Sequence, residues 1–189
     1  MRTFADADLF TRRYPGLRGL EMAPIWGCLM LTFLAESAGW IREGDLLPRL
    51  TLTGLTLAGV WPIHRYLDRT YGVVRPLFAG WGWFAVGVVA YYVLQIGAIR
   101  TGVSIDLTAP FSGLWAASFA LRDRGFRRHW LLPALVGFLM PFVVSYPMPP
   151  SAGRPPAANV WWATMWAAFM LASLWDHRLL VRSFDDART

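Results

Sequence analysis

The feature that most constrains this chain is a succession of long apolar runs, each closed by arginine. A helix on the surface of a globular protein is apolar along one stripe, whereas a run such as LFAGWGWFAVGVVAYYVLQIGAI at 77–99 is apolar on every side. Charged residues make up only 16% of the chain, against ~25% in an average globular domain. The expected fold class is all-α, a polytopic transmembrane helical bundle that forms a single integral membrane domain over 1–189.

Six segments qualify as spans: 23–41, 46–63, 77–99, 106–121, 130–148 and 158–175. A hydrocarbon core about 30 Å thick asks for ~20 helical residues, with ~17 as the lower limit. Segment 106–121 is short, and 46–63 carries Arg49 near its start, so hydropathy alone leaves both marginal. The arginines decide. With all six segments crossing and the N-terminus inside, fourteen arginines lie inside and four, Arg42, Arg49, Arg100 and Arg154, lie outside. Withdrawing the two marginal segments changes the split to twelve and six. Positive residues prefer the cytoplasmic side, so six spans are expected, with both termini inside and 1–22 and 176–189 as cytoplasmic tails.

Tryptophan levels point the same way. In this topology Trp26, Trp61, Trp81, Trp83, Trp130 and Trp175 fall near the inner interface, and Trp40, Trp161 and Trp162 near the outer one. Trp115 and Trp166 alone lie deep, as expected for an indole that prefers the head-group level. At the N-terminus Arg12, Arg13 and Arg18 precede an apolar run, and Ala35-Glu36-Ser37 resembles a leader cleavage site. That run is as long as a span, so it is expected to be a retained first helix.

The formal net charge is +6, and every basic residue is arginine. In a soluble protein such a balance would suggest nucleic acid. Here the arginines cap apolar runs, so nucleic acid is excluded, and the expected partners are the bilayer and its anionic phospholipids in a bacterial inner membrane. Arg65, Arg69, Arg124, Arg127, Arg128, Arg178 and Arg182 are the expected head-group contacts. The lack of lysine excludes retinal attachment, and a lone Cys28 makes neither an internal disulfide nor a cysteine-rich metal site.

Few residues could carry chemistry. Glu36 lies inside the first segment, where a carboxylate costs ~2.5–3.5 kcal/mol or more unless it is protonated or paired. It is either a proton, cation or substrate site or a bonded acid near the outer interface. The three histidines, His64, His129 and His177, all map to cytoplasmic ends of spans, with Asp68, Asp123 and Asp176 beside them. Imidazole and carboxylate at one level could hold zinc or iron and activate a water, although no HxxxH or HExxH spacing puts two ligands on one helix face. Otherwise no cofactor is expected. His64-Arg65-Tyr66-Leu67-Asp68-Arg69 and His177-Arg178-Leu179-Leu180-Val181-Arg182 share the pattern His-Arg-x-Leu-x-Arg. This is either an internal repeat of helical hairpins or the common drift of an arginine-rich rim.

Three functions are compatible with this pattern. Small size, the lack of a soluble domain and the few polar groups within the spans favour a non-enzymatic subunit or accessory protein of a membrane complex, bound to another membrane protein or to itself. A small transporter or substrate-binding component would use Glu36, Tyr91, Tyr92, Gln95 and Asp106. A metal-dependent enzyme would use the histidines of the cytoplasmic rim.

Overall fold

The computed structural model describes residues 19–42, 45–71, 108–122, 127–143 and 156–188, with isolated helical positions between 89 and 100. Among the described residues every element is helical. Helix α1 is Gly19–Ser37, α2 is Leu46–Tyr71, α3 is Thr108–Arg122, α4 is Leu131–Val143 and α5 is Pro156–Arg188. A 3₁₀ turn, Arg128–Trp130, leads into α4.

Helix α1 is antiparallel to both of its neighbours. Glu21 at its start meets His64 near the end of α2, and Glu36 at its end meets Arg49 near the start of α2. Against α5, Trp26 donates its indole N–H to Ser173 at 3.1 Å, while Phe33 stacks on Trp162 with ring centroids 5.5 Å apart. The backbones of α1 and α5 come so close at Gly19 that an added Cβ would lie 2.1 Å from the Ser173 carbonyl oxygen. Helices α3 and α4 form a second tight pair, where a Cβ on Gly137 would lie 2.8 Å from the backbone of Gly113. Small residues at a crossing let helices approach in this way.

The core is aromatic. Trp26 stacks parallel to Trp166, with ring centroids 5.3 Å apart, and meets Trp115 edge-on at 5.7 Å. Phe169, fully buried, touches Trp26, Trp115, Trp130 and Trp166. Offset and edge-on arrangements of this kind add to simple area burial. Tryptophan is therefore divided between two roles, a distinction that membrane level alone does not make. Trp26, Trp130 and Trp162 are 6%, 4% and 3% exposed and serve as core, whereas Trp40, Trp61, Trp161 and Trp175 are exposed. Trp81 and Trp83 lie outside the described residues.

The span boundaries also need correction. Segments 46–63 and 158–175 sit within longer helices, α2 of 26 residues and α5 of 33. The described residues of segments 106–121 and 130–148 fall mainly in α3 and α4, of 15 and 13 residues, against the ~20 needed to cross a bilayer, and 106–107 and 144–148 lie outside the described residues. Helix α1 has 19 residues but includes Glu21 and Glu36. Among the described residues one helix, α2, is long and apolar enough to cross a membrane, and six complete spans are not found. Most of segment 77–99, with Gly80, Gly82 and Gly87, lies outside the described residues.

Threonine is accommodated in α2 by local bonding. The hydroxyls of Thr51, Thr53 and Thr56 donate to the carbonyls of Leu47, Arg49 and Leu52 at 2.9, 2.8 and 2.8 Å. Such i−4 bonding satisfies the hydroxyl within the helix.

Candidate functional site

The most developed polar cluster stands where the 3₁₀ turn meets α5. Trp130 N–H donates to the Arg127 carbonyl at 3.0 Å and closes the turn. Because a 3₁₀ helix has three residues per turn, Arg127 and Trp130 come to lie on one side, with His129 next to them. All three reach Asp176, which is fully buried. Arg127 forks onto both carboxylate oxygens, Nε donating to Oδ1 at 3.1 Å and Nη2 to Oδ2. His129 Nε2 lies 2.8 Å from Oδ1, and Trp130 Nε1 donates to Oδ2 at 2.8 Å. An ionised carboxylate only accepts, so His129 is the donor in its bond.

Each Asp176 oxygen thus has two donors, which fills its hydrogen-bonding capacity. The Arg127 guanidinium also lies over the rings of Phe119 and Trp130, 4.9 and 5.3 Å from their centroids. A planar, weakly hydrated cation suits such a buried, stacked and forked position. Arg127, grouped by sequence with the head-group arginines, is 5% exposed and turned inward. With its lone pairs committed, Asp176 is poorly placed to act as base or ligand, and the cluster's chemistry is that of a rigid joint between α3, α4 and α5.

The other histidines have different surroundings. His64 lies between two acids, Nδ1 2.8 Å from Glu21 Oε1 and Nε2 3.2 Å from Asp68 Oδ2, and so ties the start of α1 to the end of α2. His177 meets Tyr71 edge-on at 6.3 Å, and its Nδ1 is buried without a hydrogen-bond partner. Burial lowers its pKa from 6.5. The three histidines share one end of the bundle, but each is held by different neighbours. Among the described residues no three of His, Cys, Asp and Glu converge as a bound metal ion would require. Asp123 and Arg124 lie outside the described residues, as do Tyr91, Tyr92, Gln95 and Asp106.

The paired rim motifs do meet. Leu67 and Leu180, the shared leucines of His-Arg-x-Leu-x-Arg, are both fully buried in one small cluster with Leu20, Ile63, Tyr71 and Leu179. Arg65, Arg69, Arg178 and Arg182, two residues to either side of these leucines, are exposed, as is Arg128. Arg65 lies 4.0 Å over Trp61, and Arg178 5.3 Å over Trp175.

At the opposite end Glu36 is paired. Its side chain is 4% exposed, and Oε1 accepts from Nη2 of Arg49, which is 35% exposed. Two partners escaped sequence reasoning. Arg49 was visible only as a charge weakening a span, although an acid near the end of one helix and a base near the start of the next were a signal of pairing. The Trp130 indole carried no local signal, because its acceptor lies 46 residues away. Comparison of the chain with protein-family models, with curated proteins and with solved structures finds no match in any of the three.

Proposed function

We propose that this protein is a non-enzymatic subunit or accessory protein of a membrane complex, held in the inner membrane by several helices with both termini on the cytoplasmic side. One observation carries the proposal. The apolar stretch of α2 buries none of its residues within the protein, and Leu46, Leu47, Leu50, Leu55, Leu57 and Trp61 are all more than half exposed. Soluble monomers rarely leave so large an apolar face uncovered, so lipid or a partner helix is its natural surrounding. Phe142 on α4 and Leu171 on α5 are exposed as well, at 82% and 56%.

The polar groups support an assembly role over chemistry. Asp176 spends its lone pairs within the fold, and Glu36 is offset by Arg49. The exposed arginines at the Asp176 end, Arg65 and Arg178 each above a tryptophan, suit contact with anionic head groups. Two experiments test the proposal. A fluorescent reporter fused after residue 189 should fold, whereas a phosphatase fused within 149–154 should be active, and the reverse pattern would overturn the topology. Purification in mild detergent should retain a stoichiometric membrane partner or a second copy, and a monodisperse lone monomer would overturn the subunit role.

A further inference from the structure

We propose that His64 is a proton-sensitive clasp that sets how firmly α2 is held against α1. Both of its ring nitrogens face an acid. Nδ1 lies 2.8 Å from Glu21 Oε1 on α1, and Nε2 lies 3.2 Å from Asp68 Oδ2 on α2 itself. An ionised carboxylate only accepts, and a neutral imidazole carries a single N–H. The two contacts are therefore both favourable only for the imidazolium, which has an N–H at each nitrogen.

Charge makes the consequence independent of tautomer. With the proton on, one cation stands between two anions that belong to different helices. With it off, one ring nitrogen turns a lone pair to a carboxylate, whichever of the two keeps the hydrogen. Glu21 and Asp68 then repel each other across an uncharged ring, so attraction between α1 and α2 gives way to repulsion. Histidine is the side chain whose charge ordinarily changes between about pH 5 and pH 8. The His64 side chain is 52% exposed, which gives protons direct access to it.

Helix α2 is sensitive to this change because little else seats it. Leu67 is its one buried residue, packed against Leu20 of α1 and against Leu179 and Leu180 of α5. The apolar stretch of α2 buries none of its residues. Among the described residues the ion pairs between α1 and α2 are Glu21–His64 near one end and Glu36–Arg49 near the other. His64 and Leu67 are three residues apart on α2, so the clasp acts beside the point where the helix is seated. Other charged and titratable groups at this end have other neighbours. Arg65 lies over Trp61, Arg69 is exposed, and His177 of α5 meets Tyr71. The clasp is independent of any partner protein and of the number of spans.

The test uses the full-length protein in detergent, carrying Cys28→Ala and a pair of spin labels read by dipolar EPR. Met22→Cys with Thr70→Cys reports the His64 end, and Leu34→Cys with Thr53→Cys reports the Glu36 end; all four positions are exposed. From about pH 5.5 to about pH 8, the ratio of short to long distances at the His64 end should fall about threefold, as for loss of an exposed ion pair. The Glu36 end should not change. His64→Arg, which keeps a cation, should hold the short distance at both pH values, and His64→Gln, which carries none, should show the loosened distribution at both. A distribution at the His64 end that ignores pH, an equal change at both ends, or a response that survives in His64→Gln would overturn the proposal. The comparison of the two ends with His64 in place stands even if a His64 variant fails to fold.

Discussion

Two arginine–carboxylate pairs mark the two ends of this bundle, and the difference between them is one of completeness. At one end Asp176 takes a forked arginine, an imidazole and an indole, two donors to each oxygen. At the other, Glu36 takes a single bond from Arg49 and leaves an acceptor and a donor buried and unmatched. Both ends are built on an arginine and a carboxylate, so the contrast lies in how many further donors the backbone brings to the acid. A 3₁₀ turn delivers three neighbouring donors to one point, whereas two facing helices deliver one side chain each. Buried polar networks rigidify when every member is satisfied, whereas an unpaired buried member costs free energy. The complete end is therefore the joint of the fold, and the incomplete end contributes less to holding it together.

The largest effect should come from Arg127→Met. It strands a fully buried carboxylate, and losing one partner of such a pair costs ~3–5 kcal/mol, visible as a large drop in Tm. A drop no greater than that of an exposed control such as Arg182→Met would refute the joint. Trp130→Phe retains the ring but removes one of four donors, for an expected loss of ~1–3 kcal/mol in denaturant titration. A neutral result would mean that the indole only packs.

The double variant Glu36→Leu/Arg49→Met should be neutral or stabilising in the same titration, because apolar replacement of a half-satisfied pair removes its desolvation cost. Asp176→Leu/Arg127→Met should not be, since it orphans His129 and Trp130. Similar losses in the two doubles would erase the contrast.

The smallest effect concerns a loose atom at the complete end. His177 lies beyond the 158–175 segment, and burial lowers its pKa from 6.5, which favours its neutral form. Between that lowered value and 6.5 the unfolded chain binds more protons than the folded one, so stability rises with pH through this window. The contribution is fully present above 6.5 and is lost as pH falls through the folded pKa. Comparing Tm at about pH 7.5 and about pH 5.5, His177→Phe should show a smaller difference than the native chain. An unchanged difference would place the titrating group elsewhere.

Helical class was legible because composition and run length dictate it. Helix ends were less so. The segment 46–63 ends where polarity begins, but α2 continues to Tyr71, since nothing in His64-Arg65-Tyr66-Leu67-Asp68-Arg69-Thr70-Tyr71 breaks a helix before Gly72. Polarity marks a change of surroundings, not a change of backbone. Trp26, Trp130 and Trp162 were assigned to interfaces by depth along the segment, which says nothing about which side of a helix faces inward. Of the Asp176 cluster, His129 and Asp176 were legible as chemically notable and adjacent to span ends. Their contact, and the inward turn of Arg127, depend on elements 47 and 49 residues apart meeting in space, and no local pattern encodes that.

The threonines of α2 have a consequence for how such helices are recognised. Each of Thr51, Thr53 and Thr56 folds its hydroxyl back onto its own helix, so a surrounding medium would meet mainly methyl groups. Hydropathy scales charge every threonine for a hydroxyl that water would otherwise solvate, a penalty already discharged here by the backbone. The helix is thus oilier than its letters suggest, and a residue-by-residue score understates its ease of leaving water.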